Sequence, residues 1–229
     1  MDAQVRDSNE ASLPVLPARI FILSGHGMLR QGLRELCEVH GLEVAGEGAS
    51  AEEARRLIPG LEPSVAVIED IVRDSTGIEV CRDLRTAAPR VHCLLLTGWD
   101  EEHAARAAVL AGASGYVGKE LGNTAGLIEK IRAAAAGHPL MEPELRQRVA
   151  ENLRLVSSAP WLKSMTRQER TILSSMAQGL TNEQIGRDLY LPAAEVDTRV
   201  SSVLQKLGFR PHRKLQPAMR TGRSLTLWR

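Results

Sequence analysis

The sequence predicts a parallel α/β domain followed by a small all-α domain, and three observations carry that expectation. In the front half, short β-type apolar runs alternate with stretches of helical period. The back half keeps a helical period throughout, with capping signals at each start. The charge divides at the same place: residues 161–229 carry 12 Lys and Arg against 5 Asp and Glu, and residues 1–160 carry 17 against 23. A basic rear unit on an acidic front unit points to a polyanionic partner for the rear unit alone. The length of 229 residues suits two such units, each with its own core.

The front elements follow in order. Arg19–Ser24 is the first strand, and His26–His40 a helix with Leu29, Leu33, Leu36 and Cys37 on one face. Glu43–Gly46 is a short strand, and Ser50 caps a helix through Leu57. Ser64–Glu69 is nearly all apolar, as a strand covered on both faces should be. Ile78–Ala88 is helical, Val91–Thr97 a fourth strand and Glu101–Ala111 an alanine-rich helix. Gly115–Gly118 and Ala125–Ala136 complete the fifth βα unit. Right-handed crossovers then favour a five-stranded, flavodoxin-like sheet whose working crevice lies at the carboxyl ends of the strands. That crevice would gather Ser24–Gly27, Glu69–Asp74, Thr97–Gly98 and Lys119.

Residues 1–17 read as a disordered leader, 18–137 as the α/β domain, 138–160 as a linker holding a helix over Pro143–Leu155, and 161–229 as the all-α domain. In the last of these, Thr166-Arg-Gln-Glu169 and Thr181-Asn-Glu-Gln184 are capping boxes that open helices to about Gln178 and Leu189. A third helix runs from about Ala193 to Leu207 on a stripe of Val196, Val200, Val203, Leu204 and Leu207. Three short, capped helices with tight turns and positive charge are the pattern of a helix-turn-helix unit.

Other classes find little support. Aromatics make up 3% of the chain, too few for base-stacking platforms. No apolar run reaches membrane-span length and the N-terminus lacks a secretory pattern, so a cytoplasmic protein is expected. Cys37, Cys81 and Cys93 are widely spaced, which suits reduced, buried thiols. No catalytic triad, zinc spacing or Walker sequence occurs, and no enzyme or metal site is expected. Ser24-Gly-His-Gly27 is a small loop of the kind that holds a phosphate in flavodoxin-like proteins, so a cofactor- or ligand-binding protein is one alternative.

Over residues 18–216 the chain resembles response regulators of the NarL/FixJ class, which join a receiver domain to a LuxR-type helix-turn-helix. The residues behind this are Thr166-Arg-Gln-Glu-Arg170, Gly179-Leu-Thr-Asn-Glu-Gln-Ile185, Val196 to Lys206-Leu-Gly208, Ala111-Gly-Ala-Ser-Gly-Tyr-Val117, Thr97, Lys119 and Gly77-Ile-Glu79. The resemblance implies a transcription regulator that binds double-stranded promoter DNA as a homodimer. It also implies a pocket with an acidic pair for Mg²⁺, a phosphoacceptor aspartate, and a Thr and Lys for the phosphoryl oxygens.

Here the acidic pair is replaced by Ser24 and Gly25, and counting back from Gly77 puts Glu69 at the acceptor position. Thr97, Lys119 and the switch position Tyr116 are kept. The expectation is a degenerate pocket that binds no Mg²⁺, in which Glu69 pairs with Lys119 beside the Thr97 hydroxyl. Asp70, one residue on, would face the opposite side of the strand. Expected DNA contacts are Thr181, Asn182, Ala194, Thr198, Arg199, Ser202, Lys206, Arg210, Arg213 and Lys214. Ala194, Glu195 and Asp197 occupy the stretch where the family usually has lysine and threonine, and the last two are carboxylates. They favour another alternative, a protein that no longer binds DNA and acts by pairing with a second regulator or with polymerase. Pro211 and Pro217 interrupt the place of a fourth, dimerising helix. A small-molecule effector in the altered pocket is also conceivable.

Overall fold

The computed structural model describes residues 18–119, 124–155 and 164–209. Five parallel strands, β1 (Arg19–Leu23), β2 (Glu43–Gly48), β3 (Val65–Glu69), β4 (His92–Thr97) and β5 (Gly115–Gly118), pair in the order β2-β1-β3-β4-β5. This is the flavodoxin-like arrangement. Strands β1 and β3 lie inside the sheet, which is why Ile20–Leu23 and all of Val65–Glu69 are buried. Helices α1 (Gly27–Val39) and α5 (Thr124–Ala135) cover one face through Leu33, Cys37, Ile128 and Ile131. Helices α2 (Ala51–Leu61), α3 (Gly77–Ala87) and α4 (Glu101–Ala111) cover the other.

Two boundaries differ from the sequence reading by more than one residue. Strand β2 extends to Gly48 because it follows β1 along its length, past a register shift between Ile20 and Phe21. Helix α2 continues through Pro59 to Leu61 and stops at Glu62, whose left-handed backbone (φ 44°) sends its N–H to Ile58 O. Pro59 sits exposed in the last turn of this helix. The three cysteines are free and buried, as expected.

Helix α6 (Pro143–Leu155) was expected to lie in a linker, yet it packs against both α4 and the first helix of the rear unit and buries Leu153. The rear unit consists of α7 (Arg167–Ala177), α8 (Asn182–Leu189) and α9 (Ala193–Lys206). Its core of Ile172, Met176, Ile185, Val196, Val200 and Val203 is continuous with the α2/α3/α4 side of the sheet. Thr166 and Thr181 close both predicted capping boxes with Glu169 and Gln184. A third box, Thr76 with Glu79, opens α3.

Among the described glycines, Gly77 in the turn into α3 leaves the least room for a side chain. The N–H of Gly77 donates to Asp70 O at 2.8 Å, and a Cβ on Gly77 would stand 2.4 Å from Glu69 O. Backbone cannot yield there as a flexible side chain could. Gly77→Ala should therefore cost about 1–3 kcal/mol or more and lower the urea midpoint; an unchanged midpoint would show that the turn relaxes freely.

Candidate functional site

At the carboxyl ends of β1, β3, β4 and β5 two buried carboxylates lie side by side. Glu69 is the last residue of β3, 2% exposed. Its Oε2 accepts from Ser24 Oγ (2.6 Å) and the Gly25 N–H (3.1 Å), while its Oε1 faces His26 Nδ1 (2.9 Å) and accepts from Lys119 Nζ (2.8 Å). Burial alone would raise its pKa. The hydrogen bonds from Lys119 and Ser24 and the lysine's charge outweigh that and hold it below the usual value. Lys119 loses charge stability by burial but gains more from Asp70 and Glu69, and its pKa is raised.

Asp70 does not turn away. Strand β3 ends at Glu69, so the alternation that would send the next side chain to the far face no longer applies. Asp70 is 5% exposed, and its Oδ1 accepts from Lys119 Nζ at 2.7 Å. Its Oδ2 accepts from Thr97 Oγ1 at 2.9 Å and the Gly98 N–H at 3.3 Å. Thr97 therefore serves Asp70 rather than Glu69, and Lys119 bridges both carboxylates. Tyr116 is half-buried on β5, its hydroxyl pKa raised by burial and by Glu101. His26, which the sequence placed only at a helix start, is the α1 N-cap residue with its ring turned to Glu69.

The second candidate surface is α9. After its first residue, the exposed positions Ala194, Asp197, Thr198, Ser201 and Gln205 form one stripe at helical spacing. Neither cation of α9 lies on that stripe. Arg199 forks onto Glu195 Oε1 (3.1 and 2.7 Å), one turn earlier. Lys206 Nζ sits 2.6 Å from both oxygens of buried Glu169, whose Oε1 also accepts from Ser202 Oγ (2.6 Å). Ser202 and Lys206, expected on DNA, thus tie α9 to α7. Thr198 returns its hydroxyl to Ala194 O at 2.8 Å. The side-chain oxygen of Thr181 accepts from the Gln184 N–H. Arg210, Arg213 and Lys214, and any fourth helix, lie outside the described residues.

The stripe faces the α/β domain across a cleft of about 1210 Å³ bordered by Asp74, Glu79, Asp83, Asp197, Ser201 and Gln205. Contacts cross it at three points. Arg82 of α3, 1% exposed, donates to Leu110 O, to Leu180 O and through Nε to Asn182 Oδ1. Asn182 Nδ2 in turn donates to Asp197 Oδ1 (2.9 Å). Arg85 reaches Gly179 O, and Ser201 Oγ donates to Glu79. Beyond α9, Phe209 packs against Trp99 and His103, with ring centroids at 5.1 and 4.4 Å. Arg82, Trp99, His103 and Phe209 carry no motif, because only docking of the two units gives them a role; Glu79 is legible as the capping-box partner of Thr76, but its contact with Ser201 is not.

Comparison with known proteins agrees with both halves. Residues 20–132 match the response regulator receiver domain, and residues 163–215 match bacterial regulatory proteins of the luxR family. The DNA-binding transcriptional activator DevR/DosR of Mycobacterium tuberculosis is 36% identical over 203 residues, 88% of this chain and 92% of that protein. The transcriptional regulatory protein LiaR of Bacillus subtilis is 31% identical over 195 residues, covering 82% and 90%. A two-component response regulator of the LuxR family from Aurantimonas sp. superposes with a TM-score of 0.52 at 35% identity, covering 59% of this chain and 97% of that one.

The chain belongs to the LuxR family of response regulators. It is a DNA-binding transcriptional regulator of that type, with a receiver domain in front and the helix-turn-helix behind. Among the described residues no helix is long and apolar enough to cross a membrane.

The Glu169 carboxylate that anchors α9 gives a pH test. Burial opposes its charge, but Lys206, Ser202 and Thr166 together hold its pKa at about 2 against an ordinary 4.5. A depressed folded-state pKa contributes stability that is present above 4.5 and lost as pH falls toward about 2. Thermal melting of wild type and Glu169→Gln should therefore differ most above pH 4.5 and converge toward pH 2; a constant gap would refute the pairing.

Proposed function

We propose that this regulator acts in the bacterial cytoplasm without aspartyl phosphorylation, switching between a closed form and a dimeric, promoter-bound form. The observation that carries this is the engagement of Lys119 and Thr97 by the chain's own carboxylates. In a working receiver a Lys and a Thr stand ready for phosphoryl oxygens; here Glu69 and Asp70 already occupy them. The donor set does not suit Mg²⁺ either. A hard dication needs free carboxylate oxygens, whereas each oxygen of Glu69 and Asp70 already accepts a hydrogen bond, with the Lys119 ammonium between them. The receiver is on this reading a fixed scaffold.

Closure supplies the control in place of phosphorylation. A reading helix must enter a groove about 12 Å wide walled by phosphates. In the closed form Glu79 is hydrogen-bonded to Ser201 on the stripe, and Arg82 holds Asn182 at the start of α8. DNA and the receiver therefore compete for the same residues, and the occupied fraction follows the difference between the two binding energies. A second reading, a regulator that works through protein pairing alone, gains from the absence of a cation on the stripe. A salt series on duplex binding separates the two, since phosphate contacts make affinity fall steeply with salt.

Incubation with acetyl phosphate and Mg²⁺ should leave the intact mass unchanged; a phosphoryl adduct on Asp70 or Glu69 would overturn the proposal. His103→Ala removes one ring of the Trp99–His103–Phe209 cluster and should tighten duplex binding, about tenfold for each 1.4 kcal/mol of closure lost. Equal or weaker binding in a titration would show that docking does not oppose DNA.

A further inference from the structure

The reading stripe of α9 has an unusual chemistry for a helix that enters a DNA groove. Guanine is normally read by Arg or Lys donating to O6 and N7, but no cation lies on the stripe. Arg199 is committed to Glu195 and Lys206 to Glu169, both off the exposed line. The hydroxyl of Thr198 is turned back to Ala194 O. What the stripe offers near its N-terminal end, where bases are met first, is the carboxylate of Asp197.

That carboxylate is held rather than loose. Asn182 Nδ2 donates to its Oδ1 at 2.9 Å, from the first turn of α8. Both residues belong to the helix-turn-helix, so the bond itself uses no group of the receiver. Asp197 is itself exposed, which leaves its second oxygen to accept from a partner. Among the base edges of the major groove, amino donors occur on cytosine N4 and adenine N6. Adenine carries the N7 acceptor beside its amino group, which repels a carboxylate; cytosine carries no acceptor there.

We propose that Asp197, oriented by Asn182, is a specificity-determining residue that accepts from the exocyclic amino group of a cytosine in each half-site. This rests on the DNA-binding function, and it assigns to a residue that repels phosphates a role that only the correct base can make favourable. Discrimination then comes largely from rejection, because on any other base the carboxylate keeps its repulsion and loses its donor.

Selection from a random duplex library by the full-length chain tests this, with total affinity for a fixed non-specific duplex measured alongside. Wild type should enrich cytosine at one position per half-site by about tenfold. Asp197→Ala should lose that preference alone while binding the non-specific duplex more tightly. Asp197→Asn should shift the position to adenine, whose N6 and N7 suit a carboxamide. An unchanged motif in Asp197→Ala, or a uniform gain in affinity with no change in preference, would overturn the assignment while leaving DNA binding intact. Retention of no duplex by wild type at low salt would instead remove the DNA-reading premise, and the assignment with it. Matching thermal melting curves for the three proteins exclude loss of fold as the cause.

Discussion

Arg82 carries a charge that is 1% exposed, and among its hydrogen bonds none goes to a carboxylate. Burial and the neighbouring Arg85 lower its pKa to about 10, and Asp83 and Asp197 offset them at longer range. It stays buried because it meets Leu110 O, Leu180 O and Asn182 Oδ1, and the last two come from the helix-turn-helix unit. A guanidinium stripped of both water and these acceptors is too costly to populate. Under the proposed switch, Arg82 is satisfied either with the units docked or when returned to water, and that is what would make the interface a two-state element on which a regulatory equilibrium can act.

The receiver pocket is linked to the same interface by short covalent and hydrogen-bonded paths. Asp70 O holds the Gly77 N–H, and the next turn carries Glu79, whose Oε2 accepts from Ser75, Thr76 Oγ1 and the Thr76 N–H. Its other oxygen takes Ser201 from α9. On the second path, Thr97 Oγ1 donates to Asp70 and accepts from the Trp99 N–H at 3.0 Å. The Trp99 ring then packs on Phe209. A pocket that no longer changes state would hold both paths in one setting, which is how a fixed receiver could still shape the affinity of a DNA-binding unit.

Much of this was legible in the residues themselves. The alternation of apolar runs, the capping boxes at Thr166 and Thr181, and the spacing of Val196, Val200, Val203 and Leu204 are local signals with local causes, and they anticipated the elements they mark. The replacement of the acidic pair by Ser24 and Gly25 could be counted directly, as could Glu69 eight residues before Gly77. The position of Asp70 was misjudged because alternation was extended one residue beyond the strand. Lys206 and Ser202 read as phosphate ligands because they are a cation and a hydroxyl on a basic helix. In the structure both reach Glu169, on a different helix 37 and 33 residues away.

The sequence alone therefore determined the two-unit architecture, the family and the chemical departure of the pocket, since each follows from residue type at short or fixed spacing. Tertiary structure decided which groups meet. It placed Lys119 between two carboxylates and drew α6 out of its linker role. It also turned the reading helix toward the receiver through Arg82, Asn182, Ser201 and Phe209. Contacts of that kind depend on how whole elements dock, and a buried cation or an aromatic cluster leaves no periodicity in the chain to announce its partner.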